Sequence, residues 1–231
     1  MKKVPKLSLL LHETTYQRMK IGGFVFALFL AVFLALFLAF MSFKDNALSP
    51  TAYIKWLEDP KNGLLIKGLT DDKKFMLKMQ YMPNEVLAYQ ILTPAQRASI
   101  SKGAWDSLVN SYHQVDYYKL DISSTSLKDP LAANTKVKEQ YYDKLNYLTF
   151  DMQKNVRMVC GSDTLPCVLY NYERMYNTTN FCRILLAFDT EKVKATTNRQ
   201  LLILDNQLGI DTVGFSFAGN RLQHIPTLRV H

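Results

Sequence analysis

The chain has 231 residues, 48% of them hydrophobic, and a formal net charge of +8. That composition excludes a disordered chain and leaves ample apolar material for a core. The charge is unevenly placed: residues 1–20 carry Lys2, Lys3, Lys6, Arg18 and Lys20 against Glu13, leaving 23 basic and 19 acidic residues in 44–231. So near-balanced a surface carries no nucleic-acid footprint, and no nucleic-acid partner is expected.

Residues 21–43, IGGFVFALFLAVFLALFLAFMSF, hold no charge. As a helix at ~1.5 Å per residue this run would extend roughly 35 Å, against a bilayer hydrocarbon core of about 30 Å. The expectation is a single transmembrane helix over 21–43 that stays in place as a signal anchor. A cleaved signal peptide has an apolar region of about 7–15 residues and a small-x-small exit. Here the exit reads Phe40-Met41-Ser42-Phe43-Lys44. The excess of Lys and Arg ahead of the run places the tail 1–20 in the cytoplasm and 44–231 outside. Gly23, Ala27, Ala31, Ala35 and Ala39 recur every four residues. Such a strip lets another backbone approach closely in lipid. The expected partners are therefore the bilayer itself and either another membrane protein or a second copy, through the helix.

Past the apolar run, Ser49-Pro50 reads as an N-cap followed by Pro at the first helical position, opening a short helix that ends before Pro60-Lys61-Asn62-Gly63. Leu64–Leu69 and Lys74–Met82 flank Thr70-Asp71-Asp72-Lys73 and read as a hairpin, since Phe75, Leu77, Met79 and Tyr81 alternate with more polar positions. Asn84–Leu92 suits a helical turn or two. Thr93-Pro94-Ala95-Gln96 forms a capping box, and a helix is expected from it toward Tyr112. Tyr118, Leu120 and Ile122 alternate as a strand, and residues 134–148 suit an amphipathic helix. Strands are expected at Asn155–Cys160, Cys167–Tyr172, Phe181–Phe188, Gln200–Leu204 and Val213–Ala218. The most apolar, Phe181–Phe188, should be central, with Arg183 requiring a carboxylate, carbonyl or solvent outlet. Blocks of helices and antiparallel strands make this an α+β domain over 44–231.

Chemistry-bearing patterns are sparse. Cys160 and Cys167 bracket Gly-Ser-Asp-Thr-Leu-Pro. They could close a disulfide loop worth roughly 2.5 kcal/mol on the chain-entropy model, or stand as two reduced core cysteines. Cys182 makes the count odd and reads as a small core hydrophobe. The histidines at 12, 113, 224 and 231 lack ligand spacing, so no metal is expected, and no glycine-rich phosphate loop supports a cofactor. A nucleophile pair of Cys167 with His113 or His224 has no local support. Asp151, Asp163, Glu173 and Asp189 sit near expected strand ends, and acid–base work would need two of them in one cleft. Asn177-Thr178-Thr179 is a sequon.

Trp56-Leu57-Glu58-Asp59-Pro60-Lys61-Asn62-Gly63-Leu64 and Met79-Gln80-Tyr81-Met82-Pro83-Asn84-Glu85, with the later Leu165–Arg174 and Leu185–Phe188, resemble small cell-envelope proteins of the Bacteroidota. The resemblance spans roughly residues 52–228 and implies a bacterial inner-membrane location with a periplasmic, disulfide-permissive domain. It implies no activity. The expected function is accordingly a non-enzymatic, membrane-anchored accessory or structural subunit of a membrane protein assembly. The alternative is a tethered binding module for a lipid, glycan or peptide, in the layout of secretion components with a short tail, one helix and an α+β outer domain. An envelope hydrolase is third.

Overall fold

The computed structural model describes residues 47–173, 179–205 and 207–230. The chain divides into two units, Met1–Asn46 and Ala47–His231, and all that follows concerns the second.

Ser49 caps α1 (Pro50–Glu58), its side chain accepting from Ala52 N, and Pro50 stands at the first helical position. A single 3-10 turn at Pro60–Asn62 then leads into the hairpin of β1 (Leu65–Leu69) and β2 (Phe75–Met82). Its turn is closed by Thr70, whose hydroxyl donates to Asp72 Oδ1 at 2.8 Å. After α2 (Asn84–Ile91) the capping box is present as expected, with Thr93 and Gln96 satisfying each other's backbone N–H groups at the start of α3 (Pro94–Ser99). The single helix expected toward Tyr112 is instead two. Ile100 turns extended and Ser101 caps a new helix, α4 (Lys102–Asn110), by accepting from Ala104 N. A serine that can satisfy a free N–H competes with continuation of the helix around it.

β3 (Val115–Ser124) follows, then α5 (Lys138–Asn146), which widens into a π turn at Tyr147–Asp151. The last third holds β4 (Val156–Cys160), β5 (Asp163–Pro166), β6 (Leu169–Glu173), β7 (Phe181–Asp189), β8 (Arg199–Leu204), β9 (Thr212–Phe217) and the short α6 (Gly219–Gln223). β5 falls between Cys160 and Cys167, where no strand is expected from the sequence.

The strands form two antiparallel sheets, ordered β1-β2-β3-β7-β6 and β5-β4-β8-β9. β7 is interior, as its apolar run demands. Period-2 alternation directs Leu77, Met79, Tyr118, Leu120, Ile184, Leu186 and Phe188 of the first sheet against Val156, Met158, Leu201, Ile203, Phe215 and Phe217 of the second, in one buried core. Tyr118 joins the layers. Its ring meets Phe217 at 5.2 Å and Phe188 at 6.0 Å between centroids, and its hydroxyl donates to Met158 Sδ at 3.7 Å.

A second cluster, Tyr53, Leu57, Leu64, Met82, Val86 and Leu228, packs the helices against the other face of the five-stranded sheet. Gln80, which points to that face, donates to Leu57 O. Leu48 N donates to Thr227 O and Arg229 N donates to Leu48 O, so the start and end of the folded unit lie together. Arg183 finds its outlet on the same sheet: Nε and Nη2 donate to the two carboxylate oxygens of the cross-strand Asp121, at 2.7 and 3.0 Å.

Two expectations are corrected. The described fold is α+β with antiparallel sheets. No helix among the described residues is long and apolar enough to cross a membrane. α1, α4 and α5 have nine residues each, or about 14 Å at 1.5 Å per residue, less than half a bilayer core. Ile21–Phe43, with the strip Gly23, Ala27, Ala31, Ala35 and Ala39, lies outside the described residues, as does Asn177.

The disulfide is corrected as well: Cys160, Cys167 and Cys182 are free and buried. Strand register is the cause. Cys160 pairs with Asp163 at the tight end of the β4–β5 hairpin, while Arg157 pairs with Pro166, so Cys167 follows the open end. Four strand residues separate the two levels, about 13 Å at 3.3 Å per residue, beyond the roughly 7 Å of Cα separation a disulfide tolerates.

Candidate functional site

A polar concavity opens where β3, β7 and the segment leading into β8 meet. It has a volume of about 260 Å³, and its lining includes Tyr81, His113, Gln114, Asp116, Thr190 and Arg199. At its base Arg199 Nε lies 3.1 Å from Asp116 Oδ2, with side-chain exposures of only 6% and 12%. Arg199 Nη1 also donates to the carbonyl oxygens of Lys194 and Ala195, each at 3.2 Å, and to that of Thr197. Burial raises the Asp116 carboxyl above its ordinary range, against the pull of Arg199 and of the Thr190 hydroxyl.

This geometry explains what the pair does. Segment 190–197 has few backbone partners of its own beyond two turns, Val193 N to Thr190 O and Thr197 N to Lys194 O. The guanidinium gathers three of its carbonyls onto one planar fork, and Asp116 neutralises the fork from the opposite sheet. Removing either partner would strand the other as a buried charge. The pair is thus a clamp between sheets. Nε and Nη1 of Arg199 and Oδ2 of Asp116 are committed to the fold, and His113 stands exposed at the rim.

The other titratable groups are likewise separate. Asp151 pairs with Lys154 at 2.7 Å in a shallow depression shared with Asp143 and Asn155. Asp163 stands exposed at the β4–β5 turn, Glu173 lies opposite Arg183, and the Asp189 carboxylate accepts from Glu191 N at 3.1 Å. The two concavities hold one of these four between them, Asp151. The Cys167 thiol donates to Leu169 O at 3.0 Å, and burial pushes it up to about 11. His113 and His224 are exposed, and the His224 ring shares a short contact with Asn220 O, so neither is brought to the buried Cys167. Among the described residues no cluster of three or more His, Cys, Asp or Glu side chains could hold a metal ion.

Sequence reasoning missed Asp116, Arg199 and Lys144. The last is buried and donates to Thr135 Oγ1 at 3.1 Å and to Ala133 O, and desolvation lowers its pKa. The available signal was a charge at an inward position of an apolar strand, as in Arg199-Gln200-Leu201-Leu202-Ile203.

One sheet edge stands out against this self-satisfied interior. No described strand pairs with the outer edge of β6. Val168 and Leu169 at its start are exposed, and Phe150 on the neighbouring π turn is 70% exposed. The turn and strand are joined by Tyr170 OH donating to Leu148 O at 2.7 Å and by Gln153 Nε2 donating to Cys167 O at 3.0 Å.

No protein-family model matches the chain, and no curated protein matches it. A comparison with solved structures finds a protein of unknown function from Burkholderia pseudomallei, 11% identical, covering 79% of this chain and 96% of that one with a TM-score of 0.34.

Proposed function

We propose that Ala47–His231 is a non-enzymatic interaction module, serving as an accessory or structural subunit of an assembly in the cell envelope, and that it docks an extended segment of a partner polypeptide along β6. The observation that carries this reading is the outer edge of β6, which no other described strand covers, beside exposed Val168, Leu169 and Phe150. Proteins usually blunt edges with lysine, proline, short strands or bulges. The other three edges follow that rule or are weakened. β1 presents Lys67 and Gly68, β5 is four residues long and ends in Pro166, and β9 carries Gly214 at its centre. β6 reads Leu-Tyr-Asn-Tyr-Glu, with aromatic residues that suit strand pairing. An added strand would gain main-chain hydrogen bonds from this edge and apolar contact from the exposed side chains.

The test is co-purification of the tagged full chain with cross-linked partners, comparing Leu169→Lys with Leu69→Lys. Both positions are exposed at sheet edges, so each substitution should leave folding stability within about 0.5 kcal/mol. The partner bound by the wild type should be lost from Leu169→Lys and kept by Leu69→Lys. Equal retention in both variants would remove β6 as the contact.

A further inference from the structure

On the opposite side of the five-stranded sheet from the clamp's core, α1, α2, α3 and the C-terminal segment enclose a pocket of about 200 Å³ lined by Pro50, Tyr53, Ile54, Val86, Tyr89, Gln90, Arg97 and Leu228. Its walls are almost entirely carbon. A dry apolar cavity of about 150 Å³ is already large enough to take benzene, so this one has room for a short hydrocarbon body. Ile54, 43% exposed on α1, stands among the lining residues, and the pocket is therefore reachable from solvent.

One cation interrupts the apolar lining. Arg97 Nε donates to Tyr89 O at 3.0 Å, and its guanidinium stacks 3.9 Å from the centroid of the Tyr89 ring. These two anchors hold the fork in place. Its terminal nitrogens make no hydrogen bond or ion pair with another described residue. Glu85, beside two of the lining residues, does not itself line the pocket: its Oε2 accepts from Leu228 N at 2.7 Å, and it faces the Tyr53 hydroxyl. The pocket therefore couples a hydrocarbon-sized void to a positioned guanidinium with free donors.

We infer that this pocket binds a free medium-chain fatty carboxylate, the acyl chain entering between α1 and α2 and the carboxylate accepting from the terminal nitrogens of Arg97. Each half of that ligand answers one half of the site. The acyl chain gains from leaving water, at about 25 cal/mol per Å² of area removed. The carboxylate matches the planar donor fork of arginine, which an ammonium or hydroxyl headgroup does not. The inference goes beyond partner docking at β6 and stands on different residues.

The test uses the full chain and a fatty acid bearing a diazirine in its tail, with photolabelled positions read by peptide mass spectrometry. Labelling should fall on residues 50–54 and 86–90. Octanoate should compete for it, while octylamine, with the same chain and the opposite charge, and acetate, with the charge and no chain, should not. Arg97→Gln should weaken octanoate competition by about tenfold or more, the usual size of a charged hydrogen bond, and Arg97→Lys should retain part of it. Ile54→Trp, which fills the mouth from an exposed position, should abolish labelling with an unchanged melting temperature. Labelling elsewhere, equal competition by octylamine, or indifference to both Arg97→Gln and Ile54→Trp would overturn the assignment. Leu169→Lys should leave labelling intact, so failure here and failure of the β6 contact are read separately.

Discussion

Glu85 ties the two ends of the folded unit together. Its carboxylate accepts from Leu228 N, and Leu228 itself bridges to Leu48. Burial raises the Glu85 pKa, outweighing the hydrogen bond from Leu228 N and the neighbouring Tyr53 hydroxyl, which favour the charged form. A carboxyl whose folded-state pKa is raised holds its proton to higher pH in the folded state than in the unfolded chain, where glutamate titrates near about 4.3. Stability from this group is therefore present at acid pH and falls as pH climbs from that value through the folded-state one. Glu85→Gln keeps an acceptor for Leu228 N and removes the titration. The wild-type urea midpoint should accordingly decline relative to that of Glu85→Gln across this window and run parallel to it above. Other buried acids, Asp116 among them, are common to both proteins and cancel in the difference. A constant gap across the window would show that Glu85 does not titrate as its burial requires.

At the scale of elements, the first residue of α6 lies hard against a neighbouring backbone. A Cβ built on Gly219 would meet Thr196 O at 2.2 Å and Thr197 O at 2.6 Å, and both contacts are backbone atoms of the segment Arg199 clamps. Gly219 N also donates to Asn198 Oδ1 at 3.0 Å. Neither side can yield without breaking the clamp. Gly219→Ala should therefore destabilise the fold by about 1–3 kcal/mol, the range for forcing extra volume into a packed site. Gly103, inside α4, is the contrasting case because nothing lies within 4 Å of its Cβ position. Gly103→Ala should stabilise by about 0.5–1 kcal/mol through helix propensity alone. Opposite signs for the same substitution, measured by urea denaturation, check that the α6 contact is real.

For the molecule as a whole, two sheets closed over one core hold together without a covalent link. The three cysteines all belong to that core. Burial pushes the thiols of Cys167 and Cys182 up to about 11, so little thiolate exists at neutral pH. A thiol reagent should leave the folded protein unlabelled, and should label all three cysteines once the protein is unfolded without reductant. Reductant should leave the melting temperature unchanged. Labelling of one cysteine alone in the unfolded, unreduced chain would restore a disulfide between the other two.

Much of the local structure was legible because near neighbours determine it. Ser49-Pro50 and Thr93–Gln96 announce helix starts through bonds to N–H groups three residues ahead. The alternation in Phe75–Met82 and Tyr118–Ile122 follows from the pleat of a strand, and of the outlets open to Arg183 the structure supplies a carboxylate, Asp121, directly across from it. The sequence by itself therefore determined the order and kind of most elements and the α+β class. Tertiary structure decided how the nine described strands divide between two sheets, and with that the separation of Cys160 from Cys167. It also decided the Asp116–Arg199 clamp, whose partners lie 83 residues apart, and the gathering of Arg97 with Tyr53 and Leu228 around one pocket. The physical reason is that strand register and layer packing are set by hydrogen bonds and apolar burial between segments distant in the chain, and no local pattern encodes which distant segment will be met.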